Sequence, residues 1–347
     1  MKRKLFLLLI TVIFSALFLM ACGQDTAQVN SSEKDEEASS EETNTNGTTY
    51  PLEIEINDDE GNQFTQTFEK VPERVVTNNL SSIEMLLELG LEDKIVGILN
   101  PDNKVTGKFA DTIAGLNNLG DKMTVSREII VGQEPDLAIG RSMMFTDETM
   151  GSIQTLNDLG INVYTQSASH IKQNPKLTSV MDDVLTVGKI FDVNERAEEY
   201  AAELQARYDA VVEKVNANKQ DEKLTVLAMV RFDSKTGNYM AFNISQGLQK
   251  DLLTTLNLEP AVDGSGDNSN LETLISTNPD IILYINADRN AEFDKTAIEG
   301  LYNEPLIKDV SAIKEKRVYE TTYDDLMDYG VRIFDTLEVL SNGLYGQ

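Results

Sequence analysis

The chain lacks the residues on which much protein chemistry depends. Its 347 residues contain no tryptophan, one cysteine and one histidine. With a single cysteine no intramolecular disulfide can form, so stability must come from packing. The lone His170 excludes a His-x-x-x-His zinc pair, and neither a Gly-x-Ser-x-Gly elbow nor a Gly-x-x-x-x-Gly-Lys phosphate loop occurs. The sequence therefore favours a protein that is not an enzyme, although its many carboxylates leave a surface hydrolase open as an alternative.

Basic residues are also scarce. Thirty lysines and arginines stand against 58 aspartates and glutamates, and the formal net charge is −28. A charge of this sign repels nucleic acids and anionic lipid surfaces, so neither is an expected partner. The hydrophobic content of 41% is ample for a folded core, and the length is sufficient for two domains.

The beginning of the chain has the pattern of an export signal. A basic start and the apolar run Leu5–Met20 predict a signal peptide over residues 1–21. The only cysteine, Cys22, follows Leu-Met-Ala, which resembles a bacterial lipobox, after which the cysteine is acylated. Residues 22–49 are rich in Ser, Glu, Thr and Asn and predict a disordered tether. We therefore expect a lipid-anchored protein at the outer face of the cytoplasmic membrane, of a Gram-positive type; the alternative is an ordinary signal peptide with an incidental cysteine.

The rest of the chain alternates short apolar strands with helices. Residues 52–68 predict a β-hairpin, and residues 74–77 and 95–98 predict short buried strands. Between these strands, Ser81 is a candidate cap for a helix that ends at Gly90. This alternation indicates an α/β fold with mostly parallel sheets.

One segment of the chain occurs twice. Glu128 and Glu272 each begin the pattern Glu-x6-Pro-Asp-apolar-x-apolar, at an offset of 144 residues. Two copies of one supersecondary unit predict two similarly built lobes, over residues 50–190 and 220–347. Pro-Asp before a strand is common, so chance is the alternative.

A long helix is predicted between the two copies. Apolar residues recur at helical spacing over residues 194–218, without Gly or Pro, and about 25 residues at 1.5 Å each reach roughly 37 Å. We therefore assign residues 191–219 to an interlobe helix; a long surface helix of the first lobe is the alternative. The predicted fold is two similar α/β lobes with mostly parallel central sheets, joined by this single helix, with a cleft between them. The second lobe is predicted to contain a strand at 224–230, its hairpin partner at 237–242, a loop at 263–270, a last strand at 317–320 and a closing helix at 327–344.

Candidate ligand-binding residues come from the strand ends, because ligands of open α/β sheets lie beyond the carboxyl ends of the strands. Guanidinium groups there suit an oxygen-rich anion, and aromatic rings suit a bulky flat one. Alternatively, each arginine pairs with a local carboxylate. The candidates are Asn78, Asn79, Arg141, Met143, Met144, Ser169, His170, Arg231, Phe232, Tyr239, Tyr284, Asn286, Arg289 and Tyr323.

Several motifs together resemble a known family. They are Pro72–Val76, Leu86–Gly90, the two Glu-x6-Pro-Asp segments and Leu156–Tyr164. In order and spacing they are similar to the substrate-binding lipoproteins of ABC importers, in the group with a rigid interlobe helix that serves ferric siderophores, haem and cobalamin. The likeness covers about residues 51–346.

This resemblance implies partners and roles. Glu128 and Glu272 would dock onto arginines of the two permease subunits, although a carboxylate at a helix start is common in itself. The protein would be a monomer that binds a ferric siderophore, and the lobes would move modestly. Haem is the alternative ligand, with Met143 or Met144 and His170 as axial ligands. Cobalamin is less favoured because tryptophan is absent. In each case the metal arrives within the ligand, and no resident cofactor or metal is expected.

Overall fold

The computed structural model describes residues 47–264 and 266–346. The signal peptide over residues 1–21, the lipidation site Cys22 and nearly all of the tether over residues 22–49 lie outside the described residues. At the end of the predicted tether, the backbone N–H of Thr48 donates to Asp192 Oδ1 at 2.6 Å. Within the described part of the chain, no helix is both long and apolar enough to cross a membrane.

The first half of the described chain contains a hairpin and a parallel sheet. Strands β1 and β2 form the antiparallel hairpin that the sequence predicts. The next four strands form a parallel sheet in the order β4-β3-β5-β6. The elements are β1 (Leu52–Asn57), β2 (Gln63–Phe68), β3 (Val75–Thr77), α1 (Leu80–Glu88), β4 (Ile95–Ile98), α2 (Ala110–Gly115), α3 (Arg127–Val131), β5 (Leu137–Gly140), α4 (Ile153–Asp158), β6 (Asn162–Thr165) and α5 (Leu177–Ile190).

The second half has a mixed sheet. Its path is β10-β8-β7-β11-β12, with β9 also paired to β7. Strand β7 pairs in parallel with β9 and β11, and β11 pairs in parallel with β12. Strand β8 pairs antiparallel with both β7 and β10. The elements are α6 (Asn194–Asn218), β7 (Leu224–Val230), β8 (Tyr239–Ala241), α7 (Gly247–Thr255), β9 (Leu258–Pro260), β10 (Gly266–Ser269), α8 (Leu271–Thr277), β11 (Ile281–Asn286), α9 (Ala291–Asn303), α10 (Ser311–Lys314), β12 (Val318–Thr322), α11 (Tyr323–Met327) and α12 (Ile333–Tyr345).

Helix α6 joins the two halves. It packs against α5 on one side and α12 on the other. Its buried face carries apolar residues at helical spacing, including Tyr200, Leu204, Val211 and Val215, because those positions recur on one side of a 3.6-residue helix. The predicted fold, two α/β lobes joined by one long helix, is confirmed. The lobe boundaries at residues 190 and 220 stay a prediction.

The start of α1 differs from the prediction. Ser81 is not the cap: the helix begins at Leu80, and neither Asn79 nor another side chain of this turn caps it. Instead Asp328 Oδ2 accepts the backbone N–H of Ser81 at 2.7 Å, from 247 residues further along the chain. A distant carboxylate therefore satisfies a free N–H group that a local side chain usually satisfies.

Two predictions for the second half are wrong. The polar loop predicted over residues 263–270 contains β10, which gains backbone hydrogen bonds at the sheet edge by pairing with β8 despite its poor strand-forming composition. The closing helix predicted over residues 327–344 is present as α12 but begins six residues later than predicted, at Ile333, and Met327 instead ends α11. The chain leaves the helix where Asp328 turns into the interior with no exposed surface and Tyr329 adopts a φ of 57°.

Candidate functional site

The carboxyl ends of strands from the two sheets meet. The loop after β4 carries Asp102, whose Oδ1 forms an ion pair with the guanidinium of Arg289, from the turn after β11. In the same loop, Asn103 Nδ2 donates to the carbonyl oxygen of Asn286 at 3.2 Å. The strand ends of one lobe thus face those of the other, and the space between them is the interlobe cleft.

A buried ion pair lies in the contact between the lobes. Arg141 follows β5, and its Nη1 lies 3.7 Å from Asp328 Oδ1, with both side chains almost fully buried. The backbone of Arg141 is held by Asn78, whose Oδ1 accepts the N–H at 2.8 Å and whose Nδ2 donates to the carbonyl at 3.2 Å. Arg141 is therefore fixed on both its backbone and its side chain.

Asp328 of this pair also belongs to a cluster of three carboxylates. Oxygen atoms of Asp102, Asp324 and Asp328 lie within 4.8 Å of one another. Burial, with the neighbouring Asp328 next, raises the pKa of Asp324 to about 7. Burial acts to raise the pKa of Asp102, but Lys122, 2.5 Å away, together with Arg141 and Arg289 outweighs it, and the pKa is lowered. The cluster already has cationic partners in Lys122 and Arg141, so we interpret it as a charge network rather than a metal site.

A cavity of about 620 Å³ opens at this junction. Its walls come from the segment after β4 and from the turn after β11, so both lobes contribute. A concave space at the carboxyl ends of parallel strands is where α/β folds bind small molecules. The lining residues are Ile98, Asn100, Pro101, Asp102, Asn103, Lys104, Val105, Ala110, Asp111, Ile113, Ala114, Asn118, Asp121, Asp288 and Arg289.

Five of the candidate ligand-binding residues reach solvent. Arg231 and Arg289 are exposed, Met143 is 45% exposed, and Asn286 and Tyr323 are half-buried. The guanidinium of Arg289 lies 4.5 Å from the centre of the Tyr323 ring, which adds a cation–π contact to its ion pair. Among these five, Arg289 lines the cavity described above.

The other candidates lie in the interior. Tyr284 has no exposed surface, and its hydroxyl donates to Asp294 Oδ1 at 2.7 Å. It stands within β11, which runs to Asn286, rather than in the loop after the strand. His170 Nε2 lies 3.0 Å from Thr165 Oγ1, and burial lowers the pKa of His170. As ligand contacts these residues stay predictions. The buried candidates are Asn78, Asn79, Arg141, Met144, Ser169, His170, Phe232, Tyr239 and Tyr284.

The three candidate arginines have different surroundings. Arg141 pairs with Asp328, and Arg289 pairs with Asp102. For these two, the alternative that each arginine pairs with a carboxylate of the protein holds. Arg231 lies over the Phe293 ring at 5.1 Å, and no carboxylate of the described residues comes within 4 Å of its guanidinium. Two of the three guanidinium charges are therefore already balanced by the protein.

Sequence reasoning missed the acidic half of this junction. Asp102 and Asn103 directly follow β4, so the rule that selected the other strand ends also applies to them. Asp324 directly follows the selected Tyr323, so the rule reaches it too, whereas Asp328 lies within the predicted closing helix and carries no such signal. Asp324 accepts the backbone N–H groups of Asp102 and Asn103, and Asp328 contacts Arg141 and Ser81, in each case across more than 180 residues of chain.

The repeated glutamates occupy matching places. Glu128 is the second residue of α3 and Glu272 the second residue of α8, and both are exposed. The preceding caps, Ser126 and Asn270, are also 144 residues apart. Hydrogen bonds from its own backbone N–H and from Ser126 lower the pKa of Glu128, so the carboxylate form is favoured at this helix start.

Comparison with known proteins identifies the family. Residues 75–324 match the family described as periplasmic binding protein, and the chain belongs to that family. It is similar to YvrC of Bacillus subtilis (strain 168), described as an uncharacterized ABC transporter substrate-binding lipoprotein. The identity is 22% over 334 residues, which is 96% of this chain and 95% of that protein. The fold is that of a solved periplasmic binding protein from Veillonella parvula, with a TM-score of 0.72, 22% identity, and coverage of 87% of this chain and 93% of that one.

A second relative has a named ligand. The petrobactin-binding protein YclQ of Bacillus subtilis (strain 168) is 24% identical over 330 residues, which is 91% of this chain and 90% of that protein. The predicted resemblance to ABC-importer substrate-binding proteins is thus confirmed, and this chain is a substrate-binding protein of that type.

Proposed function

We propose that this protein captures a ferric siderophore in the interlobe cleft and delivers it to an ABC permease. The observation that carries the proposal is the cavity of about 620 Å³ between the segment after β4 in one lobe and Asp288 and Arg289 after β11 in the other. The similarity to a petrobactin-binding protein supports a ferric siderophore as the ligand. In this proposal the protein acts as a monomer and catalyses no reaction, and iron is present only as part of the cargo.

Binding of named chelates tests the ligand. Purified protein is titrated with ferric petrobactin, ferric citrate and a ferric hydroxamate while tyrosine fluorescence is recorded, because Tyr323 stands beside Arg289 at the cavity. We expect quenching at submicromolar concentration of one of them. A flat titration with all three contradicts the siderophore proposal. Arg289→Met should weaken binding, and Arg317→Met, which does not line the cavity, serves as the matched control.

Haem is the second candidate because Met143 is 45% exposed beside the cleft-facing end of β5. Its proposed partner His170 is 5% exposed and bonded to Thr165, so the ring would have to turn out of the interior to reach iron. A Soret band that forms on mixing with haem, and is lost in His170→Ala or in Met143→Ala with Met144→Ala, would favour haem. The absence of a band would remove this candidate.

We also propose a lipid anchor on Cys22 and a location at the outer face of the cytoplasmic membrane. The relative YvrC is described as a lipoprotein, and the net charge of −28 opposes attachment to anionic lipid by charge alone. Cys22→Ser should move the protein from the membrane fraction to the medium. If the variant stays with the membrane as firmly as the unchanged chain, the anchor is elsewhere.

Docking to the permease is proposed for Glu128 and Glu272. Both are exposed second residues of equivalent helices, and two carboxylates on a rigid body suit a partner with two similar subunits. Glu128→Ala with Glu272→Ala should abolish uptake of the bound chelate and leave its affinity unchanged. Glu198→Ala with Glu213→Ala, on the exposed face of α6, removes the same charge and should have no effect. Loss of ligand affinity in the first variant would assign these residues another role.

A further inference from the structure

Exposed apolar side chains concentrate beside the repeated glutamates. Eight large hydrophobic residues of the described chain are exposed, and four of them lie on or next to α3 and α8. These four are Ile129 and Leu159 in the first half and Ile275 and Leu306 in the second. Single exposed apolar residues are ordinary, but the same arrangement in both halves calls for a common explanation.

In the first half, Leu159 and the half-buried Val131 line a groove beside Glu128, and Ile129 lies outside its lining. Glu128, Val131 and Leu159 line one cavity of about 410 Å³ together with Arg127, Gly132 and Glu134. Leu159, at the end of α4, is 52% exposed. The guanidinium of Arg127 lies 3.9 Å from Asp147, so its charge is partly balanced from outside the groove. The groove therefore combines an apolar wall with unpaired acidic groups.

The second half repeats the arrangement. Ile275 follows Glu272 by three residues, so both lie on one face of α8, just as Val131 follows Glu128 on α3. Helix α8 packs against residues 305–307, which carry Leu306, 69% exposed. Ile275 is 46% exposed.

The two leucines are also equivalent in the topology. Leu159 lies between α4 and β6, and β6 pairs in parallel with β5, the strand that follows α3. Leu306 lies between α9 and β12, and β12 pairs in parallel with β11, the strand that follows α8. Each lobe thus presents one carboxylate, one aliphatic residue a helical turn later, and one leucine from the neighbouring connection.

We infer that these two triplets are the docking surfaces for the permease, and that each takes a basic side chain together with an adjacent apolar side chain. The first surface is Glu128, Val131 and Leu159; the second is Glu272, Ile275 and Leu306. The inference rests on the proposed function and adds the apolar half of the contact. Charge supports this partner, because a chain of net charge −28 attracts a basic surface and repels an acidic one. Apolar side chains at the centre of such a contact exclude water and supply much of the binding free energy.

Uptake measurements test the inference. Cells that lack the native copy express the full chain with Leu159→Asp and Leu306→Asp, and uptake of petrobactin, citrate and a hydroxamate loaded with radioactive iron is measured. We expect uptake to fall about tenfold or more, with the affinity for the chelate unchanged in the purified variant. Val339→Asp, at an apolar residue 45% exposed on α12, is the matched control and should take up iron as the unchanged chain does.

The outcomes separate this inference from the proposed function. Normal uptake in the leucine variant, with uptake lost in the variant that lacks both glutamates, would overturn the apolar contact and keep docking by charge. Equal losses in the leucine variant and in Val339→Asp would also overturn it. Loss of chelate affinity in Leu159→Ser with Leu306→Ser, the milder pair, would mean that these residues support the fold or the ligand. No uptake of any of the three chelates by the unchanged chain would overturn both proposals.

Discussion

Arg141 and Asp328 join the two halves of the molecule through a buried ion pair. Their charged atoms lie 3.7 Å apart, and the side chains are 5% and 0% exposed. The residues are 187 positions apart, one just past β5 and the other between α11 and α12. In the interior each charge of such a pair is stabilised mainly by the other, so that loss of one partner leaves the remaining charge buried and uncompensated.

Removal of one partner should therefore be more harmful than removal of both. Arg141→Met leaves Asp328 buried without its closest cation and should lower the free energy of unfolding by about 3–5 kcal/mol. Arg141→Met with Asp328→Asn should recover part of that loss, because no charge remains unpaired. Urea denaturation of the single and double variants measures both values. Lys295→Met, at an exposed pair with Glu292, is the control and should change little. This account would be contradicted if the double variant lost more free energy of unfolding than the two single variants lose together.

Asp324 should make stability fall as the pH rises. Burial, with Asp328 next, raises the pKa of Asp324 from 3.8 to about 7, so between these values the folded protein keeps a proton that the unfolded chain has released. Stability is then greatest at the acidic end of this window and declines toward pH 7, by at most about 1.4 kcal/mol per pH unit from this group.

Asp324→Asn removes that titration and should flatten the decline. Urea denaturation at several pH values between 4 and 8 compares the variant with the unchanged chain; Asp309→Asn, at an exposed site, is the control and should keep the original slope. Parallel curves for Asp324→Asn and the unchanged chain would show that another group dominates.

Asp183 should be essential to the turn after β6. Its carboxylate has no exposed side and accepts hydrogen bonds from the backbone N–H groups of Ser167 at 2.7 Å and Ala168 at 3.1 Å, and from the hydroxyl of Tyr164 at 2.7 Å. Asp183→Ala leaves these donors buried and unpaired and should cost about 3 kcal/mol or more. The neighbouring Asp182→Ala, exposed on the same helix, should cost far less. Thermal or urea unfolding that gives equal losses for the two would refute the assignment.

Gly140 should not tolerate a side chain. It ends β5 with a φ of 151°, and a Cβ there would overlap the amide of Asn78, which holds the backbone of Arg141. Gly140→Ala should therefore destabilise the protein by several kcal/mol, on the order of other strained core changes. Gly115→Ala, where nothing lies within 4 Å, should be neutral or stabilising, by up to about 1 kcal/mol. Unfolding midpoints in urea distinguish the two, and equal midpoints would contradict the steric argument.

Strong local patterns predicted the fold well. Helix α6 coincides with the periodic stretch 194–218, and strand β7 with the predicted strand 224–230, because uninterrupted periodicity and a continuous apolar run leave little freedom in placing them. The repeat from Glu128 to Glu272 identified two equivalent helices. The start of the closing helix was placed six residues too early, because the chain before α12 follows Asp328, which turns inward to reach Ser81 and Arg141. No local signal reports such contacts.

The site was predicted less completely than the fold. The strand-end rule selected Arg289, which lines the cavity, and Tyr323, whose ring centre lies 4.5 Å from the Arg289 guanidinium. It also selected two residues that lie in the core: Tyr284, which belongs to β11 itself, and Phe232, whose side chain is buried although it follows the end of β7. Asp102 could have been found with the same rule, whereas its pairing with Arg289 and Lys122 could not, since it joins segments far apart in the chain.

The contact of Asp328 with α1 bears on the order in which the protein forms. A free N–H group in the first turn of α1 donates to a carboxylate that is synthesised 247 residues after Ser81. Arg332 forms a bidentate ion pair with Glu84 of the same helix. A nascent polypeptide that has not reached Asp328 lacks both contacts. We therefore expect the amino-terminal lobe to reach its final packing only when synthesis is nearly complete.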